Sequence, residues 1–228
     1  MTELLGAQDI RRLAQQAGVV PTKKWGQNFV IDPNTVRRIA ATADVTSTDI
    51  VLEVGPGLGS LTLALLPLAG AVTCIEVDRR LADQLPQTVA EFAADDAHRL
   101  TVICADALST ASLPVAPTVM VANLPYNIAV PVVLHALAAF PTIAHALVMV
   151  QQEVADRLTA TPGSKEYGVP SVKAQWYGTV TKAGSVPRTV FWPIPNVDSG
   201  LVRLVRQPSP GDELLRNQVF RLVDAAFG

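Results

Sequence analysis

Residues 51–62 read VLEVGPGLGSLT: a short apolar run, then glycines at 55, 57 and 59, then the opening of a helix. A strand that turns on alternate glycines straight into a helix lets a ligand approach the backbone where any Cβ would clash. Working outward, apolar or β-branched runs recur at 50–54, 71–76, 100–104, 118–122 and 144–150, and helical patterns separate them at 59–69, 78–93, 130–139 and 152–160. Continuous apolar strands alternating with helices predict an α/β domain with a parallel sheet covered on both faces.

Upstream, Ile10, Leu13, Ala14 and Ala17 predict a helix over 7–17 ended by Gly18, and a second helix opens near Pro33 and runs to about Ala43. After residue 170, AQWYGTVTKAGSV and SGLVRLVRQ read as longer strands joined by VPRTVFWPIPNVD, which predicts antiparallel pairing at one edge. Pro208 and Pro210 mark a linker before a last helix over 212–227.

The chain of 228 residues is 49% hydrophobic and 17% charged, with a mean hydropathy of +0.30, which is the balance of a well-buried globular domain. No apolar stretch reaches the ~20 residues of a membrane span. The polar start MTELLGAQDIRRLAQQAG lacks the apolar segment of a signal peptide, so a cytoplasmic location is expected. Cys74 and Cys104 both fall in predicted strands, with no C-x-x-C, and read as small buried hydrophobes in a reducing compartment. The net charge of −2 argues against a nucleic-acid partner, but its distribution does not: residues 1–40 hold Arg11, Arg12, Lys23, Lys24, Arg37 and Arg38, whereas the acids concentrate between 41 and 150.

In an open parallel sheet, ligands bind beyond the carboxyl ends of the strands. The glycines end the first strand. Glu76, in IEVD, ends the next and is placed to accept from both ribose hydroxyls; Asp78 reads as the cap of the following helix. Asp106, in ADAL, ends another strand and is placed to accept from an adenine amine. Glu53 stands just ahead of the glycines, where it would repel a phosphate, and the third glycine of the dinucleotide fingerprint is missing. Together these residues describe a pocket for an adenosine without phosphates. A fourth strand ends in VANLPYNIAV, residues 121–130, with an uncharged amide and an aromatic ring at its carboxyl end.

With that stretch the array resembles the S-adenosylmethionine-dependent methyltransferases, and among them the rRNA adenine N6-dimethyltransferases of the small-subunit (KsgA/RsmA) type. The resemblance runs from about Lys23 to the end of the chain, on KKWGQNFVID, LEVGPGLGSLT, IEVD, ADAL, NLPYNIA, VMVQQEVADRL, PGSKEYG and VFWPIPNVDSGLVRL in the family's order. Trp25 stands where the family has an aliphatic residue and Ala105 where glycine is common. The resemblance implies a Rossmann-like class I fold, with a mostly parallel seven-stranded sheet, helices on both faces and an antiparallel edge. It implies a catalytic domain over 1–207 with an N-terminal helical extension (1–45), and makes 208–228 the linker and first helix of a further helical domain.

The implied chemistry is methyl transfer from S-adenosylmethionine, without a metal, to the N6 amines of two adjacent adenosines near the 3′ end of 16S rRNA in a small-subunit precursor. The implied catalytic set is Asn123, Leu124, Pro125, Tyr126 and Phe191, the last as a second ring against the base. Cofactor contacts are expected from Gln27, Asn28, Val30, Gly55, Gly57, Glu76, Val77, Asp106, Ala107 and Asn123, and RNA contacts from Lys23, Lys24, Lys165 and Arg188. Arg157, Lys173, Arg203 and Arg206 are further candidates for the RNA track, and the chain is expected to act as a monomer. His98, His135 and His145 show no ligand spacing. The alternatives are a large-subunit rRNA dimethyltransferase conferring antibiotic resistance, a non-catalytic ribosome-assembly or transcription factor on the same fold, and an NAD-dependent oxidoreductase, which the glycine spacing and Glu53 disfavour. A nucleoside deaminase would need H-x-E with P-C-x-x-C, which is absent.

Overall fold

The computed structural model describes residues 3–21 and 27–227. Its core is one seven-stranded sheet in the order β4-β3-β2-β5-β6-β9-β7. The strands are β2 (Ile50–Val54), β3 (Ala71–Glu76), β4 (Leu100–Cys104), β5 (Val119–Asn123), β6 (His145–Gln151), β7 (Gly178–Val186) and β9 (Ser199–Arg206). β4, β3, β2, β5 and β6 run parallel, and β9 pairs antiparallel with both β6 and β7. Five of these strands coincide with the apolar runs to within a residue; β2, β3, β5 and β6 are buried on both faces and leave an uninterrupted hydrophobic signature, whereas the outer strand β4 is only partly covered.

The alternation of side chains divides the core in two. Val51, Cys74, Val121 and Leu147 face α1 (Ala7–Gln16), α2 (Pro33–Thr42), α3 (Ser60–Leu65) and α4 (Arg79–Phe92). Leu52, Ile75, Met120 and Val148 face α5 (Ala129–Ala139), α6 (Gln152–Leu158) and α7 (Val169–Gln175). The chain builds β2, β3 and β4 outward in one direction and then crosses back to place β5 on the other side of β2. That reversal opens a crevice above the ends of β2 and β5.

Three features depart from expectation. AQWYGTVTKAGSV is not one strand: Ala174 and Gln175 close α7, and the strand begins only at Gly178. A second, two-stranded sheet pairs β1 (Phe29–Val30) antiparallel with β8 (Phe191–Trp192), tying Phe29 to Trp192 and Val30 to Phe191 across most of the chain. The expectation of buried cysteines holds for Cys74 but not for Cys104, which is exposed. β4 is the outer strand of the sheet, so its last residue lacks a neighbouring strand to cover it. α8 (Glu213–Phe227) follows Pro208 and Pro210 and lays Phe220 edge-on against Trp176 and Tyr177, while Lys173 pairs with Asp224 at 2.7 Å. Among the described residues no helix is long and apolar enough to cross a membrane.

Candidate active site

A cleft, partly open to solvent, lies over the ends of β2, β3 and β5. The glycine turn forms its floor. Gly55, Gly57 and Gly59 all have left-handed φ (69°, 60° and 97°), a region open to glycine and costly for other residues. Space adds a second requirement at Gly57, where an ideal Cβ would stand 2.8 Å from Phe29 Cε1. The same turn approaches the end of β5, with the Cβ position of Gly55 3.6 Å from Pro125 Cδ.

Glu76 ends β3 at 5% exposure. Its Oε2 accepts from the Gly57 amide (3.1 Å) and its Oε1 from the Asp78 amide (3.0 Å), so the carboxylate is locked in plane beside the glycines with further lone pairs available. Burial pushes its pKa up and the two amides pull it back. Asp78 caps α4 by accepting from the Arg80 amide and guanidinium, which hold it below the usual carboxylate range; the Gln27 side chain also bonds it. Val77 lies between these acids on the cleft wall, 55% exposed despite being apolar. Glu53 is buried one strand away, accepting from Thr62 Oγ1 (2.6 Å) and Cys74 Sγ (3.6 Å), and burial raises its pKa to about 7.

The roof comes from the segment before β1. Gln27, Asn28 and Val30 line the cleft. The Val30 carbonyl accepts from Ser60 Oγ (2.9 Å), and the Asn28 carbonyl accepts from Asn123 Nδ2 (3.2 Å). Asn123 lines the cleft at the end of β5, and with Nδ2 engaged on Asn28 its Oδ1 is the acceptor end of the amide. Leu124 follows with its amide on the Met149 carbonyl, and the Pro125 carbonyl accepts from the Ile128 amide, which rounds the chain into α5. The Tyr126 ring is half-buried on the same wall, and its hydroxyl meets Ser199 Oγ at 3.0 Å. Burial raises its pKa.

Several expected residues stand elsewhere. Phe191 is 1% exposed and packs in the core, because its pairing with Val30 in the β1–β8 ribbon turns its ring inward; it does not line the cleft. Asp106 sits on an exposed rim at the end of β4, its Oδ1 accepting from the Leu108 amide, and Ala107 beside it packs against the core. Lys23 and Lys24 lie outside the described residues. Lys165 is exposed; Arg188 is exposed too, but its amide donates to Asp198 and its guanidinium to the Asn196 carbonyl. Arg203 reaches Asp44 and the Thr42 carbonyl, and Arg206 reaches the Leu137, Phe140 and Ile143 carbonyls, so both serve the fold. Arg157 pairs with Glu153 within α6. Among the described residues no group of three or more His, Cys, Asp or Glu converges as metal ligands. Ser60, Thr62 and Ser199 lie inside the quoted stretches LEVGPGLGSLT and VFWPIPNVDSGLVRL, but only the structure shows that their hydroxyls orient the roof, a buried acid and the ring.

A glycine turn, an acid ending the second strand, and a switch-point cleft on this strand order define a class I methyltransferase fold. Structures of two such enzymes match it: a dimethyladenosine transferase from Plasmodium falciparum (TM-score 0.73, 30% identity, 86% of this chain and 69% of that one) and the 23S rRNA methyltransferase ErmE (0.71, 32%, 86% and 77%). Residues 21–227 match the family described as ribosomal RNA adenine dimethylase, and the chain belongs to that family. The ribosomal RNA small subunit methyltransferase A of Thermobifida fusca is 60% identical over 225 residues, which is 98% of this chain and 78% of that relative.

Proposed function

We propose that this chain is a small-subunit rRNA adenine dimethyltransferase, converting two adjacent adenosines near the 3′ end of 16S rRNA to their N6,N6-dimethyl forms. The strongest support is the meeting in one cleft of Asn123, ending β5, with the glycine turn of β2, in a chain of this family. Identity of 60% to a small-subunit enzyme, against 32% to the 23S enzyme ErmE, favours the small-subunit target.

S-adenosylmethionine, when bound, supplies an electrophilic methyl on a positively charged sulfur. The residues present fit such a group. Glu76 would accept from ribose hydroxyls with the lone pairs that Gly57 and Asp78 leave free and Val77 would give apolar contact, while Asp106 and Ala107, at the end of β4 outside the cleft lining, would meet the adenine only from the rim. Gly55 and Gly57 admit the ligand against bare backbone, and Gln27, Asn28 and the Val30 backbone close over its methionine end.

An adenine amine is a poor nucleophile because its lone pair is delocalised into the ring. Asn123 Oδ1 and the Leu124 carbonyl take its two N–H groups and hold it toward tetrahedral geometry, which exposes the lone pair; Pro125 stiffens that turn. An uncharged amide suffices because no proton has to leave before the methyl arrives. Catalysis is then mainly positioning. Tyr126 stacks on one face of a base splayed out of its strand, a contact worth about 1–3 kcal/mol. Phe191 stays in the core in this arrangement and is not assigned the other face. Lys165 and Arg188, with Lys23 and Lys24, meet the RNA backbone. Residues 1–207 act as the catalytic unit, as a monomer in the cytoplasm, and 208–228 as a linker and helix.

The test is transfer of labelled methyl from S-adenosylmethionine to undermethylated small subunits, with large subunits in parallel and the modified base mapped. Label on paired adenosines of 16S rRNA is the expected result; label confined to the large subunit, or none, overturns the proposal.

A further inference from the structure

Ser199 opens β9 between the end of β6 (Gln151) and the end of β7 (Val186). It is 0% exposed. A buried hydroxyl requires a hydrogen-bond partner, and this one has the Tyr126 hydroxyl, 73 residues earlier in the chain, at 3.0 Å. The backbone around it is fixed on every side. The Asp198 carbonyl accepts from the Gln152 amide (3.0 Å), Asp198 Oδ1 accepts from the Arg188 amide (2.8 Å), and Gly200 packs so closely on α6 that a Cβ would stand 2.5 Å from that of Ala155. Tyr126, by contrast, sits on the turn between β5 and α5, and its ring forms cleft wall. A ring on a turn has two side-chain torsions to settle: a bond at its tip fixes the first by holding the phenol oxygen in place, and biases the second because the hydroxyl bonds best in the plane of the ring. Phenylalanine would present the same face without that anchor.

We propose that Ser199 is a positioning residue for methyl transfer: its hydroxyl, set in the sheet, holds the tip of the Tyr126 ring so that the ring's face meets the target adenine beside Asn123. The inference rests on the assignment of Tyr126 as the stacking ring. It accounts for the choice of tyrosine, since the phenol oxygen is used for orientation and takes no part in moving a proton.

The test uses the whole chain, S-adenosylmethionine and undermethylated small subunits, with Ser199→Ala, Tyr126→Phe and the double variant. Each single change is expected to lower kcat about fivefold, the worth of one net hydrogen bond. The double is expected to lose no more than either single, because both remove the same bond. The KM for S-adenosylmethionine is expected to stay unchanged. At matched total methyl uptake the monomethyl share is expected to rise, since a loosened ring holds the bulkier monomethylated base less well. A partly unfolded enzyme scales all turnover and leaves that share alone. Wild-type kcat and product ratio in Ser199→Ala, or losses that multiply in the double variant, overturn the inference while leaving the activity standing. If Ser199→Ala does not fold, Tyr126→Phe reads the same bond, and a wild-type kcat and product ratio there overturn it equally. A wild-type chain that transfers no methyl to a competent substrate overturns the proposed function and this inference together.

Discussion

Gly57→Ala separates two demands that the glycine turn makes at one position. Its φ of +60° costs a non-glycine residue on the order of 1–2 kcal/mol. The new Cβ would also stand 2.8 Å from Phe29 Cε1, and Phe29 has little freedom to retreat. It is 7% exposed, its backbone is paired to Trp192, and its ring stacks on that indole at 6.4 Å. Overpacking of this kind costs about 1–3 kcal/mol, so the total is about 2–5 kcal/mol. For a chain of this size each kcal/mol lowers Tm by about 2–4 °C, which gives a fall of roughly 4–20 °C. Gly18→Ala is the control: its φ is +63°, with nothing within 4 Å of the added carbon, so only the strain of about 1–2 kcal/mol remains. Calorimetry should show the larger loss at position 57. Titration with S-adenosylhomocysteine should show weakened binding there alone, because displacing Phe29 drags Asn28 with it. Equal losses of Tm in the two variants would refute the steric argument.

Three other outcomes follow from the same geometry. Asn123→Ala should cut methyl transfer by about 100-fold at saturating cofactor, and Asn123→Asp, which keeps an acceptor but loses the donor to Asn28, should retain more; labelled-methyl assays compare them. Glu53 keeps its proton to about pH 7 in the folded chain, whereas the unfolded chain releases it near pH 4.5, so this group makes the native state less stable as pH rises through that window, by about 3 kcal/mol in all. Urea midpoints at pH 5 and pH 8 should differ less in Glu53→Gln than in the wild type. Arg206→Met should lower stability by about 1.5–3 kcal/mol, because it strips charged donors from the carbonyls of Leu137 and Phe140 at the end of α5 and of Ile143 beyond it, while leaving the KM for RNA unchanged; thermal melts and kinetics report the two separately.

The parallel half of the sheet and the floor of the cleft were legible because their signals are local. A both-faces-buried strand is continuously apolar, and Gly57 and Glu76 sit at strand ends that the pattern already marks. What stayed hidden depends on contacts between distant segments. The β1–β8 ribbon is two residues on each side, too short for any periodicity, and without it Phe191 reads as a ring free to meet a ligand. α7 is seven residues opening on Val169-Pro170, and the aromatics Trp176 and Tyr177 that follow it imitate a strand. Arg203 and Arg206 look like RNA contacts until their carboxylate and carbonyl partners, more than 60 residues away, are visible.

β9 is the last strand in the chain, yet it lies between β6 and β7 rather than at the margin of the sheet. Until residue 206 has left the ribosome, β6 offers an open edge and β7 has nothing to zip onto. Synthesis therefore completes this edge of the sheet late, through contacts of large sequence separation that form slowly. A nascent chain halted before β9 would leave the β6 edge unpaired and the Tyr126 hydroxyl without its Ser199 partner.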